Sequence, residues 1–178
     1  MRKSLIIKLL ILCGVALLVV SCKPNCDINK PKGVKPIDWE NYNDVYTVFW
    51  NGVRDCSSGN FDDAGKDIKV FGWIFQGPIY PDGKPLPVNP EKFALISNEE
   101  DIFWWNFSTR GGQGIYVNAY RLEDVENYRK LVDKFATADI TKKCYISGKL
   151  YFQSLPNNDC CSTISGIQIY SADDIYFE

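Results

Sequence analysis

The stretch IKVFGWIF, residues 68–75, decides how the rest of this chain is interpreted. Its side chains are mostly β-branched or aromatic, which favours a β-strand. Gly72 interrupts the run, and a glycine inside a strand is typical of a bend or bulge, as at the corner of a barrel. The stretch therefore predicts a strand that bends at its glycine.

Similar stretches follow it along the chain and predict further strands, two of which also contain a glycine, Gly148 or Gly166. The aromatic segment IFWWNF, residues 102–107, is strand-like as well and leaves the strand count open. The other predicted strands are KFALIS at 92–97, IYVNAY at 115–120, CYISGKLYF at 144–152, ISGIQIY at 164–170 and DIYFE at 174–178.

Two segments have apolar residues at three- and four-residue spacing, which predicts amphipathic helices. One precedes the first strand, and the other lies between IYVNAY and CYISGKLYF with acidic residues at its start, as the helix dipole prefers. The apolar positions are Tyr42, Val45, Tyr46, Phe49 and Val53 in the first helix, and Leu122, Val125, Tyr128, Val132 and Phe135 in the second.

The order of elements over residues 66–178, three strands, a helix and two strands, resembles the OB-fold, whose helix lies between strands three and four. The segments KVFGWI and ISGKLYF resemble the starts of OB-fold strands in envelope lipoproteins of the Bacteroidota type. The resemblance implies a mainly β protein: a small five-stranded OB-like barrel with one helix between strands 3 and 4 and one preceding N-terminal helix.

The N-terminus begins with Arg2, Lys3 and Lys8, continues with an uncharged apolar run and ends in small and polar residues. This layout predicts a secretory signal, because the run is shorter than the roughly 20 apolar residues of a spanning helix. The sequence VVSC, residues 19–22, resembles the lipobox of bacterial lipoproteins. That resemblance implies cleavage before Cys22 and its modification by diacylglycerol and an acyl chain such as palmitate. An unlipidated cleaved signal is the alternative.

Three segments are predicted: a lipoprotein signal peptide at residues 1–21, a lipidated flexible tether at 22–36 and a single globular domain at 37–178. The tether is rich in Pro, Lys and Asn, which favours a flexible chain. The signal contains three of the 20 basic residues and none of the 22 acidic ones, so the remaining chain has a net charge near −5. Because nucleic-acid phosphates require clustered Lys and Arg, the sequence predicts no nucleic-acid partner.

Seven cysteines and no histidine shape the predictions about redox and metal chemistry. Cys56, Cys160 and Cys161 are candidates for a structural disulfide, which agrees with export to an oxidising compartment. The spacing of the cysteines does not match a zinc site, and no metal or other cofactor is predicted.

The resemblance to the OB-fold also implies a ligand face on strands two and three, together with the loops that flank it. Six aromatic residues fall in these regions: Tyr80, Trp104, Trp105, Phe107, Tyr116 and Tyr120. Aromatic rings stack on sugars, bases or partner side chains. The alternative is that these rings belong to the core, and alternation within a strand places Trp104 and Trp105 on opposite faces.

Catalysis is not predicted, because no nucleophile and base pair is recognisable in a chain without histidine. The preferred hypothesis is a lipid-anchored, non-catalytic binding module of the bacterial cell envelope, with a glycan or an envelope protein as partner. One alternative is a structural or assembly subunit of an envelope complex. Another is a carboxylate-dependent glycan hydrolase that uses Glu99, Glu100 and Asp101. The expected location is the outer membrane, with a periplasmic or a surface-facing orientation.

Overall fold

The computed structural model describes residues 31–55, 61–77, 88–101, 114–119, 122, 124–154 and 162–178. Within these residues, no helix is long and apolar enough to cross a membrane. The described strands form one sheet. They are β1 (Tyr42–Asp44), β2 (Arg54–Asp55), β3 (Asp67–Ile74), β4 (Lys92–Ile96), β5 (Gly114–Asn118), β6 (Lys143–Ser154), β7 (Ser162–Gln168) and β8 (Ile175–Phe177).

Five of these strands close into a barrel. β3, β4 and β5 form an antiparallel meander, and β5 then pairs in parallel with β7. β7 pairs antiparallel with β6, and β6 returns to β3 in an antiparallel ladder from Asp67↔Lys149 to Trp73↔Lys143. This order, with a helix between the third and fourth barrel strands, is that of the OB-fold. The predicted fold class is confirmed.

The two helices pack on the core of the barrel from opposite ends of β4. α1 (Val45–Gly52) places Val45 near Gly72 and the carbonyl of Ile96, at the end of β4. α2 (Val125–Thr137) places the Phe135 ring 5.1 Å from that of Phe93, at the start of β4.

The first helix is shorter than its spacing predicts. Its N-cap is Asp44, whose side-chain oxygen accepts a hydrogen bond of 2.6 Å from the backbone N–H of Thr47. The residues before this cap pair in parallel with β3, Tyr42 opposite Lys69. Tyr42 was thus wrongly assigned to the buried face of a helix, since it lies in β1 and is 44% exposed.

The buried face of the second helix differs in part from the predicted one, since Phe135 packs against the core as predicted and Val125 does not. Val125 is 69% exposed, whereas Leu131, which was not among the predicted apolar positions, is fully buried. The helix begins after its N-cap Asp124, whose carboxylate accepts a hydrogen bond of 3.0 Å from the Glu126 N–H. Tertiary packing therefore selects the row through Leu131 and Phe135, and the valine of the first turn faces solvent.

Gly72 lies where the barrel backbone comes close to α1 and β4. A Cβ atom built on this residue would stand 2.5 Å from Val45 Cγ2 and 2.7 Å from the Ile96 carbonyl oxygen. No side chain fits at these distances. The predicted bulge is absent, because the pairing of β3 with β6 continues without a break through Gly72 opposite Cys144, and the glycine instead permits this close approach.

Candidate functional site

Tyr116 is the one predicted ligand-binding residue that lies within the described part of the chain. Tyr80, Trp104, Trp105, Phe107 and Tyr120 lie outside the described residues, and so do Cys22 and the disulfide candidates Cys56, Cys160 and Cys161. The predicted disulfide and lipidation sites therefore stay predictions.

The side chains of β5 alternate between the core and the outside of the barrel. Ile115 and Val117 are fully buried in the core, and Tyr116 between them points outward and is half-buried. It stands opposite Ala94 on β4 and Gly166 on β7. Since Ala94 has a small side chain, the ring has room on the β4 side to line a cleft on the outer face.

This cleft, the Tyr116 cleft, has a volume of about 340 Å³. It lies where β3 and β4 meet the segments that lead into and out of the loop between them. Its lining residues are Phe75, Gln76, Gly77, Val88, Asn89, Lys92, Phe93, Ala94 and Tyr116. The mixture of apolar surface with amide groups and one ammonium group suits a ligand that is both apolar and hydrogen-bonding.

The polar groups of the Tyr116 cleft are held in place by local contacts. The ammonium nitrogen of Lys92 lies 5.3 Å from the centre of the Tyr116 ring, in cation–π geometry. Burial raises the pKa of the Tyr116 hydroxyl above its ordinary value. Gln76 is buried and donates a hydrogen bond of 3.1 Å from Nε2 to the Ile140 carbonyl, which leaves its Oε1 as the acceptor for other groups.

Tyr151 adds a second ring to the same outer side of the barrel. It stands on β6 opposite Gly166, and its ring occupies the space that a Cβ atom on Gly166 would take. Its hydroxyl accepts a hydrogen bond from Asn118 Nδ2 on β5. Tyr116 and Tyr151 thus flank the same glycine from neighbouring strands.

A separate aromatic surface, which the sequence did not predict as a site, covers the outer side of β1, β3, β6 and β8. The Tyr145 ring is at its centre, with ring centroids 5.3 Å away in Tyr42, 5.8 Å in Phe71 and 6.0 Å in Tyr176. Trp73 extends the row along β3. We call this set, Tyr42, Phe71, Trp73, Tyr145 and Tyr176 with Lys69 and Lys143, the aromatic face.

The alternation of buried and outward side chains along β3 was the signal that could have revealed the aromatic face. Val70 and Ile74 are fully buried, while Phe71 and Trp73 between and beside them point outward. Aromatic residues on the outward side of a closed barrel cannot belong to its interior. The run of apolar residues at 68–75 concealed this alternation.

The acidic turn proposed for the hydrolase alternative is a short 3₁₀ helix, Glu99–Asp101. Glu99 and Glu100 are exposed, and the backbone N–H of Glu100 donates to the Asn98 side chain at 3.2 Å. General acids of glycosidases usually stand in apolar surroundings, and these two side chains do not. In the described parts of the chain, no group of three His, Cys, Asp or Glu side chains is arranged to hold a metal ion.

Cys144 is the cysteine that the described residues contain, and it carries a free thiol. It is fully buried in β6, opposite Gly72 on β3 and Phe177 on β8. Burial raises the pKa of this thiol well above its ordinary range. It therefore acts as a small apolar core residue and not as a nucleophile.

No family model matches the sequence, and no curated protein matches it either. Three solved structures are similar to this chain, and each match covers most of the length of the solved chain. The complex of Plasmodium falciparum SSB with ssDNA is 19% identical, covers 63% of this chain and 93% of its own, and has a TM-score of 0.34. The small single-stranded DNA-binding protein of Streptomyces coelicolor is 10% identical, covers 64% of this chain and 94% of its own, and has a TM-score of 0.31. A DUF3299 family protein of Pseudomonas aeruginosa is 10% identical, covers 75% of this chain and 92% of its own, and has a TM-score of 0.33.

The prediction that nucleic acid is excluded as a partner is contradicted by this comparison. Two of the similar structures are, by their titles, single-stranded DNA-binding proteins or a complex with such DNA. The prediction was based on net charge. OB barrels bind single-stranded nucleic acid by stacking its bases on aromatic rings within a local groove, so the net charge alone does not decide whether a chain binds nucleic acid. With TM-scores of 0.34 and 0.31, these two structures do not identify a ligand of this chain.

Proposed function

We propose that this chain is a lipid-anchored lipoprotein of the bacterial cell envelope and that its OB barrel is a non-catalytic binding module. The resemblance of residues 19–22 to a lipobox supports the anchor. The Tyr116 cleft carries the proposal of binding, since it joins a half-buried aromatic ring to amide and ammonium groups on the outer side of β4 and β5.

The ligand that suits the Tyr116 cleft best is a short glycan. Sugars present apolar C–H faces that pack on aromatic rings, together with hydroxyl groups that bond to amides. Gln76 and Asn89 supply amides beside Tyr116, although Asn89 Oδ1 already accepts a bond of 2.9 Å from the Glu91 N–H. Among the described lining residues Lys92 is the one cation, and its ammonium is directed at the ring.

Binding is tested with the purified full chain in detergent, titrated separately with soluble peptidoglycan fragments and with an oligothymidylate in a calorimeter. We expect saturable binding of the glycan and a loss of at least tenfold in affinity for Tyr116→Ala. Tyr170→Ala is the matched control, because Tyr170 is 48% exposed and lies outside the cleft. Binding of the oligothymidylate alone would reject the ligand class, and unchanged affinity of Tyr116→Ala would reject the site.

The anchor is tested separately. Intact mass of the protein from bacterial membranes is expected to show a chain that starts at Cys22 and carries the added lipid. Cys22→Ser is expected to lose this mass and to move from the detergent phase to the aqueous phase. A wild-type chain without lipid would reject the anchor and leave the binding proposal to its own test.

A further inference from the structure

The aromatic face combines exposed tyrosines with lysines at the edge of the barrel where the chain enters it. Tyr42 is 44% exposed and Tyr176 is 64% exposed. Lys69 is exposed beside Tyr42, and its ammonium donates a hydrogen bond of 3.1 Å to the Glu40 carbonyl. We propose that the aromatic face docks on the anionic surface of the membrane that holds the lipid anchor.

The position of this face relative to the predicted tether supports the proposal, which depends on the proposed anchor. The Lys35 carbonyl accepts a hydrogen bond of 2.7 Å from Asn51 Nδ2, so the chain is held on the barrel from this residue onward. Tyr42 follows shortly afterwards in β1. Thirteen positions separate Cys22 from Lys35, and if the tether is flexible, as the proposed anchor requires, a chain of this length spans about 20 Å on average. The aromatic face would therefore stay close to the bilayer surface.

The chemistry of the aromatic face also matches a lipid headgroup region. Tyrosine and tryptophan rings prefer the membrane interface, and lysine ammonium groups are attracted to anionic lipids. Lys143 Nζ lies 5.5 Å from the Phe71 ring centre and 5.3 Å from that of Trp73. In the described structure Lys143 forms no salt bridge, and the one carboxylate of the outward β3 row, Asp67, is paired with Lys149 at 2.7 Å.

The net charge of the chain makes this face the preferred side for contact. With a net charge near −5 after the signal, most of the barrel is repelled by an anionic bilayer. The aromatic face is repelled less, because it carries Lys69 and Lys143. The acidic Glu99 and Glu178 lie beside Trp73 and Lys143. Its aromatic rings add an apolar contribution that does not depend on charge.

The arrangement of the rings argues against a stacked sugar or nucleotide on this face. The Tyr42 and Tyr145 rings meet at 87°, and the Tyr145 and Tyr176 rings meet at 49°. Rings that are tilted in this way present edges as well as faces, whereas sugars and bases stack on flat ring faces. An interface with headgroups requires no common ring plane.

The test uses the full lipidated chain in nanodiscs of phosphatidylethanolamine and phosphatidylglycerol that contain a gadolinium-chelating lipid. Backbone amide signals near the bilayer relax faster because of the gadolinium. We expect the amides of Tyr42, Tyr145 and Tyr176 to show at least fivefold more paramagnetic relaxation than those of Ala94 and Tyr116. Replacing phosphatidylglycerol with phosphatidylcholine is expected to reduce this difference at least twofold.

A triple variant, Tyr42→Ser, Lys143→Gln and Tyr176→Ser, is expected to lose the difference. Its control is Tyr170→Ser with Lys130→Gln, which replaces an exposed tyrosine and an exposed lysine outside the aromatic face. The amide spectrum of each variant reports whether the barrel is folded. The single variant Tyr176→Ser, at the most exposed ring, gives a smaller but measurable effect if the triple variant does not fold.

The outcomes separate this inference from the proposed function. A chain without lipid by intact mass would reject the anchor, and with it the docking. A lipidated chain with equal relaxation on both sides, or with stronger relaxation at Tyr116, would overturn the docking and leave the anchored binding module intact. Crosslinking of Tyr176→Cys to an envelope protein, with equal relaxation, would assign the face to a protein partner.

Discussion

Tyr151 and Asn118 are joined by a hydrogen bond that passes over the backbone of the strand between them. The Tyr151 ring on β6 lies on Gly166 of β7, and its hydroxyl accepts from Asn118 Nδ2 on β5. Asn118 is 6% exposed, so water cannot readily take the place of the tyrosine hydroxyl in this bond. The bond therefore holds together the parallel junction at which the barrel closes.

Tyr151→Phe removes this acceptor and leaves the buried Asn118 amide without it. We expect the free energy of unfolding to fall by about 1–3 kcal/mol, measured by urea denaturation. Tyr145→Phe is the control, because Tyr145 lies on the same strand and outer side but the contacts described for it are between rings. An equal loss in both variants would show that the bond over Gly166 has no special role.

Leu131→Ala tests which face of α2 packs on the barrel. Leu131 is fully buried, and removing its side chain is expected to cost about 2–5 kcal/mol of unfolding free energy. Val125→Ala in the same helix is the control, with an expected change within about 0.5 kcal/mol, since Val125 is 69% exposed. The reverse order of these two effects would support the face predicted from spacing.

Gly72→Ala tests the close approach of β3 to α1 and β4. The added methyl group would stand 2.5 Å from Val45 Cγ2, and the strand or the helix would have to move. We expect a loss of about 1–3 kcal/mol in thermal or urea denaturation. Lys69→Ala, at an exposed position on the same strand, is expected to change the stability by less than about 0.5 kcal/mol. A stable Gly72→Ala protein would mean that the barrel is less tightly packed here.

Cys144 predicts a specific dependence of stability on pH. Burial raises the pKa of its thiol in the folded state, whereas the unfolded chain ionises near the ordinary value of about 8.5. The thiolate therefore favours the unfolded state, and the stabilisation that is present below this pH is lost as the pH rises above it.

The measurement is the free energy of unfolding from pH 7 to 10 in wild type and Cys144→Ala. The difference between the two curves is expected to change by up to about 1.4 kcal/mol per pH unit above pH 8.5, with other titrating groups cancelling. Parallel curves would show that the thiol is accessible to water in the folded state.

The order of elements was sufficient to predict the barrel because each strand carries its own signal. The β-branched and aromatic residues at 68–75 indicated β3, and the helical spacing between IYVNAY and CYISGKLYF placed a helix where the OB-fold has one. The ends of the helices were less predictable. Asp44 caps α1 so that Tyr42 joins β3 as a strand, and this pairing depends on residues 27 positions away, which no local pattern reports.

The candidate site was predicted only in part, for a related reason. The resemblance to the OB-fold pointed to β5, and alternation then places Tyr116 outward beside Ala94 and Gly166. The aromatic face is assembled from four strands, two of which are only three residues long. Their side chains come together through the pairing of the strands, and spacing within any single segment cannot show this.

The contact between the first helix and the last barrel strand has a consequence for how the protein folds. Ser165 Oγ donates a hydrogen bond of 3.2 Å to the Val48 carbonyl, across 117 positions of sequence. Gly52 also stands against Ser165, with no room for a side chain between them. Because α1 has no complete docking surface until β7 has been synthesised, the hydrophobic side of this helix stays uncovered throughout most of translation. Folding should therefore be slow and all-or-none, and a growing chain should remain open to chaperones until it is nearly complete.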